Sequence, residues 1–270
     1  MTRIALVVSD VDGTLLTKEK VLTDRARAAV QKLHQAGIGF TITSSRPTIG
    51  MHFLVEPLRI TLPVGPFNGS SIVAPDMTPI EQHVLPAAAT RRSLELLTEY
   101  GIDIWLFTNE HWFTRNGAGE YVPREKLAIK ADPTVIDDFA PYVASACKVV
   151  GSTSDPALLI RCEQAMQHEL GAQATAIRSQ TYYLDVTPPG HNKGTFVQAM
   201  AQRLGIATDA VATIGDMQND IAMFKTSGLS FAMGNATQDV RKHATRTTSS
   251  NEEDGFALAM ETILNENAGG

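Results

Sequence analysis

Two aspartates, Asp10 and Asp12, stand one residue apart behind an apolar run from Ile4 to Val8 and ahead of Gly13 and Thr14. Like charges at that spacing repel unless positive charge is near. A third acid, Asp216, ends the run Ala210–Gly215 and opens the stretch Met217-Gln218-Asn219-Asp220. If Asp10, Asp12 and Asp216 converge, a hard divalent cation resolves the repulsion, and an oxygen-only donor set favours Mg²⁺. Lys193, at the start of a predicted helix, brings the remaining positive charge, and a helix N-terminus favours anions. Ser44, at the end of another apolar run, adds a hydroxyl donor. Such groups suit phosphoryl transfer, which needs in-line geometry and neutralised equatorial oxygens. The attacking carboxylate must be ionised. A partner acid must be protonated for an acid step, so paired acids in different environments are expected.

Strands must bring these groups together. Ile4–Val8 reads as a strand buried on both faces. A helix is predicted over 24–35, with Thr23 as N-cap and Gly37 as stop. Strands follow in "IGFTIT", running into Ser44-Ser45-Arg46, and in "LPVGPF", ending at Asn68-Gly69. This alternation implies a parallel, doubly wound sheet. From about Glu81 the order changes to a helix over 90–100, strands "IDIWLFT", "HWFTRN" and "CKVVGS", a helix over 156–170, and strands "ATAIRS" and "YYLDVTP". Consecutive strands on short turns imply an antiparallel sheet with helices on one face. The first pattern resumes with a helix over 195–204 closed by Gly205, and strands "AVATIG" and "LSFAMG". The expected architecture is α/β: a Rossmann-like core of residues 1–82 and 188–270, with an inserted α+β cap of residues 83–187. Right-handed crossovers place strand one between strand two and the Asp216 strand. Asp10, Ser44 and Asp216 then share the carboxyl edge, where open α/β sheets bind ligands.

Composition narrows the function classes. Hydrophobic residues make up 43% and charged residues 19% of 270 positions, ordinary for a folded domain. The net charge of −6 argues against nucleic acid as a partner. Cys147 and Cys162 have no metal or redox spacing. No signal peptide or membrane-spanning stretch is read, so a soluble, cytoplasmic protein is expected. Oligomeric state is not legible.

Taken singly, each motif has an ordinary reading: Asp-x-Asp as a turn, Lys193 as a solvated helix start, Asp216–Asp220 as a capping cluster. In this order, at strand ends and around an insert, they form a pattern. "DVDGTLL", "TSSRP", "NGS", "GHNKG", "GDMQND", "AMGNA" and "TTSSNEEDGF" together resemble the haloacid dehalogenase superfamily, in its Cof-type sugar-phosphatase branch with a large cap. The resemblance covers residues 4–82 and 188–257. It implies Asp10 as the nucleophile that becomes an aspartyl phosphate, and Asp12 as general acid and then base, with its backbone carbonyl facing the metal; the pKa of Asp12 is then expected above that of Asp10. Ser44 is implied as donor to the phosphoryl oxygens, and Lys193 as the partner of phosphate and Asp10. Asp216 binds Mg²⁺, with Asp220 in the metal shell, so the expected metal set is Asp10, Asp12, Asp216 and Asp220. Ser45, Arg46, Asn68, Gly69 and Asn219 are expected around phosphate and substrate. The chain departs from the family's Thr-Gly-Arg with Ser44-Ser45-Arg46, which puts the backbone at Ser45 in question.

The reaction expected is Mg²⁺-dependent hydrolysis of a small phosphorylated metabolite, a phosphosugar. Transfer of the phosphoryl group to a sugar hydroxyl, as in a phosphomutase, uses the same two aspartates. A non-catalytic phosphate-sensing module would need Asp10 but has no use for Asp12.

Overall fold

The computed structural model describes residues 2–269. A five-stranded parallel sheet, ordered β13-β12-β11-β1-β2, is built from Leu6–Ser9 (β1), Gly39–Ile42 (β2), Val211–Gly215 (β11), Leu229–Ala232 (β12) and Arg246–Thr247 (β13). Strand β1 lies between β2 and β11, with Leu6 opposite Gly39 on one side and Val211 on the other. Its side chains alternate. Val7 enters a core shared with helices α1 (Asp24–Gln35), α2 (His52–Leu58) and α9 (Gly255–Gly269). Leu6 and Val8 face α6 (Lys193–Leu204) and α7 (Ile221–Thr226). Both faces are covered, which is why these strands are almost wholly apolar.

Local signals set the helix ends. The Thr23 hydroxyl accepts from the Ala26 amide at 3.1 Å, as an N-cap should. Gly205, at φ 65°, ends α6. The run "LPVGPF" does not become a full strand. Gly65 alone continues the sheet edge, donating to Ile42 and accepting from Ser44 at 2.9 Å. Pro63 and Pro66 flank it and carry no N–H for a ladder.

A second sheet, ordered β7-β6-β5-β8-β10-β9, comprises Asp103–Phe107 (β5), Trp112–Thr114 (β6), Thr134–Val135 (β7), Lys148–Ser152 (β8), Thr175–Gln180 (β9) and Tyr183–Thr187 (β10). It is antiparallel apart from the β6–β7 pair. Helices α3 (Ala87–Glu99) and α5 (Pro156–Leu170) cover one face through Leu96, Leu97, Leu159 and Met166. The other face carries Trp105, Phe107, Trp112 and Tyr183, against Ile129 of α4 (Val122–Ile129) and against Phe67. The chain crosses between the two sheets twice, and the crossings touch: His83 and His191 stack with ring centroids 3.7 Å apart.

Candidate active site

Asp10 leaves β1 at its carboxyl end, and its amide continues the ladder to Ile214 at 2.9 Å. The chain then turns sharply at Gly13, where φ is +83°. A Cβ there would stand 2.4 Å from Oδ2 of Asp216, so glycine is required both for conformation and for closeness. Thr14 donates its hydroxyl to Oδ1 of Asp216 at 3.1 Å. Asn235, beyond β12, donates to Oδ2 of Asp216 at 3.1 Å and to the Gly13 carbonyl at 2.9 Å. The turn after β1 and the end of β11 are thereby tied together.

Lys193 is the first residue of α6, behind an N-cap in which Asn192 accepts from the amides of Gly194 and Thr195. Its ammonium is buried and donates to Asp10 and to Asp220, each at 2.6 Å. The other oxygen of Asp220 accepts from the amides of Asp216 and Met217, both at 2.8 Å. Asp220 therefore shapes the loop after β11 and orients the lysine at once. Carboxylate oxygens of Asp10, Asp216 and Asp220 lie within 4.8 Å of one another.

Asp12 is not in that cluster, contrary to the convergence of Asp10, Asp12 and Asp216 carboxylates expected from the sequence. Its side chain turns to Arg46, which grips both oxygens at 2.6 and 2.8 Å, and to Lys20, 2.5 Å away. Arg46 was expected at phosphate or substrate. It also donates to the carbonyls of Gly50 and of Ala128 in α4. The relative acidity of the pair is likewise reversed. Burial pushes the Asp10 carboxyl up to about 6, against the pull of Lys193. Burial would raise Asp12 too, but Arg46 and Lys20 hold it well below the usual carboxylate range. Asp216 is pushed well up by burial and by the charges of Asp10 and Asp220.

The remaining expected residues gather around this centre. The Ser44 hydroxyl is buried and accepts from the Arg46 amide at 3.2 Å, and the Ser44 carbonyl accepts from Asn68 at 2.7 Å. Ser45 is absent from the residues with positive φ, so the serine in place of the family's glycine meets no steric objection. Asn68 does take positive φ, 59°, and accepts from the side chain of Asn219 at 2.8 Å. A Cβ on Gly69 would stand 2.8 Å from that of Phe196, so only glycine fits beside α6. Oδ1 of Asn219 is buried without a hydrogen-bond partner.

Sequence reasoning left out Thr14 and Asn235 as holders of Asp216, and Lys20 as a partner of Asp12. It also left out Glu125, Lys148 and Asp185. Lys148 donates to the Ser45 carbonyl at 2.7 Å and lies 3.6 Å from Asp185, which meets Asn68 at 3.4 Å. Asn235 carried a signal, since it stands in "AMGNA". Thr14 carried one too, in "DVDGTLL", whereas Lys20, Glu125, Lys148 and Asp185 lie in ordinary strand, helix or turn sequence.

A sequence profile of the haloacid dehalogenase-like hydrolases matches residues 7–260. The chain belongs to that family, in its Cof-type branch, and its enzyme class is that of the phosphoric monoester hydrolases. It is 28% identical over 262 residues to a 5-amino-6-(5-phospho-D-ribitylamino)uracil phosphatase of Bacillus subtilis, covering 95% of this chain and 94% of that one. It is 26% identical to an HMP-PP phosphatase of Cronobacter sakazakii, covering 84% and 83%. Among solved structures, a haloacid dehalogenase-like hydrolase of Bacteroides thetaiotaomicron superposes with a TM-score of 0.85 at 28% identity, over 97% of this chain and all of that one. No helix of the described residues is long and apolar enough to cross a membrane.

Proposed function

We propose that this enzyme hydrolyses a small phosphomonoester, a phosphosugar, through an aspartyl phosphate on Asp10, with Mg²⁺ as cofactor. The observation that carries the reading is the Lys193 ammonium shared between Asp10 and Asp220, with Asp216 beside them. Three buried carboxylates face one ammonium, so the centre keeps an excess of negative charge that a hard divalent cation would balance. The donors are all oxygen, and burial, followed by the neighbouring carboxylate charges, raises the pKa of both Asp10 and Asp216. Asp10 and Asp216 would hold the metal, which when bound supplies positive charge to the phosphoryl oxygens.

The residues of the chain then divide the work. Lys193 takes Oδ1 of Asp10, which fixes the carboxylate and leaves Oδ2 for in-line attack. Ser44, Asn68 and Asn219 line the approach of the phosphoryl group. Asp12 protonates the leaving oxygen and afterwards takes a proton from water. To do so it must give up its pairing with Arg46 and Lys20. Arg46 also holds Ala128 of α4, so release of Asp12 is tied to movement of the segment 83–187. We read that segment as a cap that opens for substrate and closes over it. The two relatives act, by their names, on small phosphorylated compounds, which supports a metabolite of that size. The test is release of inorganic phosphate from a panel of phosphorylated metabolites with Mg²⁺. Turnover of at least one sugar phosphate is expected, and no release from any member would overturn the reading.

A further inference from the structure

The wall facing Asp12 comes from the segment 83–187, and it buries ionisable groups that the chemistry at Asp10 does not use. A cavity of about 30 Å³ lies between Asp12, Ser45 and Arg46 on one side and Glu125, Lys148 and Tyr183 on the other. That space is far below the volume of a ligand pocket, so substrate enters only when the two walls part.

Glu125 is 7% exposed on α4 and forms no ion pair among the described residues. Burial raises its pKa, and Lys148 and Arg46 only partly oppose this. Its neighbours on the buried side of the helix, Val122, Ala128 and Ile129, are apolar. A carboxylate among them costs stability that leucine or methionine at that position would not. The Tyr183 hydroxyl, on β10, is also buried; burial and the nearby Glu125 carboxylate push its pKa up, and it meets no partner at hydrogen-bond geometry. Lys148, on β8, is 4% exposed, with Asp185 as its counter-ion. The wall therefore presents an acceptor, a hydroxyl that can donate or accept, and two cationic donors, Lys148 and Arg124. Its one carboxylate without a counter-ion is Glu125.

We propose that Glu125 and Tyr183, with Lys148 alongside, form a specificity subsite for a neutral hydroxyl on the leaving group of the substrate. The inference rests on the phosphatase reading above and names what that site selects. A hydroxyl satisfies Glu125 as acceptor and Tyr183 as donor together.

The test uses Glu125→Gln and Tyr183→Phe in the full chain, with two probes: the best sugar monophosphate of the panel and phenyl phosphate. Both substitutions are near in shape, and Tyr183→Phe removes an unpartnered hydroxyl, so the melting temperature should not fall. For the sugar monophosphate, kcat/KM should drop by about tenfold or more, chiefly through KM. For phenyl phosphate, which has no hydroxyl, the change should stay under about threefold. Equal losses on monophosphate and phenyl phosphate, or no loss on either, would overturn the subsite. So would a wild-type enzyme that hydrolyses phenyl phosphate but favours no hydroxylated monophosphate, which leaves the phosphatase reading standing. Release of phosphate from none of the probes would overturn both.

Discussion

Arg46 holds Asp12 by a two-pronged grip, Nε to one carboxylate oxygen at 2.6 Å and Nη2 to the other at 2.8 Å. The same guanidinium reaches the carbonyls of Gly50 and Ala128. One side chain thus fixes the orientation of Asp12 and bridges to α4. The planar fork makes both possible, and a lysine of equal charge could not reproduce it. Arg46→Lys would lose the bridge that ties release of Asp12 to α4 and is expected to lower kcat by about 10- to 100-fold with the fold retained. Steady-state kinetics beside a thermal melt checks this; unchanged kcat would separate Asp12 function from the Arg46 contact.

Asp10 gives a pH dependence of stability with a definite sign. Its carboxyl is pushed up to about 6 from an ordinary 3.8, so the folded chain binds that proton more tightly than the unfolded one. Its contribution favours the folded state at low pH, falls as pH rises from about 4 to about 6, and stays unfavourable above that. In excess chelator, the melting temperature of Asp10→Asn should exceed that of the parent at about pH 7.5 and approach it at about pH 4. Equal melting temperatures at both would mean that Lys193 offsets the burial of Asp10 in full.

Asp220 is predicted to matter for folding as much as for chemistry. Its two oxygens serve Lys193 on one side and two backbone amides on the other. An amide can accept through its single oxygen only, and Asp220→Asn leaves the buried lysine with half its counter-charge. Breaking a buried pair costs about 3–5 kcal/mol, so a loss of that order in urea unfolding is expected. A loss below about 1 kcal/mol would show that the Lys193–Asp220 contact is replaceable.

Removal of divalent metal should stop turnover, and Mg²⁺ should restore it. Ca²⁺ should restore little, because its larger and looser shell misplaces the attacking carboxylate. Asp216→Ala should lose turnover at any practical Mg²⁺ concentration while Thr14 and Asn235 lose their shared acceptor. Full activity in excess chelator, or in the Asp216→Ala enzyme, would contradict a metal at this centre.

What was legible in the sequence followed from local signals. Strand β1 and its position beside Asp10 came from an apolar run with an abrupt polar end. Helix α5 was read over its full length because Asp155 caps it, Pro156 starts it and Gly171 ends it. Helix α9 has no such marks. It begins at Gly255, after Asp254 at φ 55°, and its apolar residues lack a clear face, so it was not read. The direction of the Asp12 side chain was beyond local pattern. Its partners come from Lys20, at a positive φ of 62° within a tight turn, and from Arg46, 34 residues away. Glu125, Lys148 and Asp185 look like ordinary surface charges until the second sheet turns them toward the first.

The central claim is that phosphorus is transferred to Asp10. The most direct measurement traps that bond. Asp12→Asn enzyme, given a hydrolysable sugar phosphate and Mg²⁺, should form the aspartyl phosphate but resolve it slowly, since water activation is lost. Borohydride reduction of the quenched protein, followed by peptide mass spectrometry, should find homoserine at position 10 and aspartate at position 216. An unreduced Asp10 in enzyme that still releases phosphate from the same substrate would contradict the account.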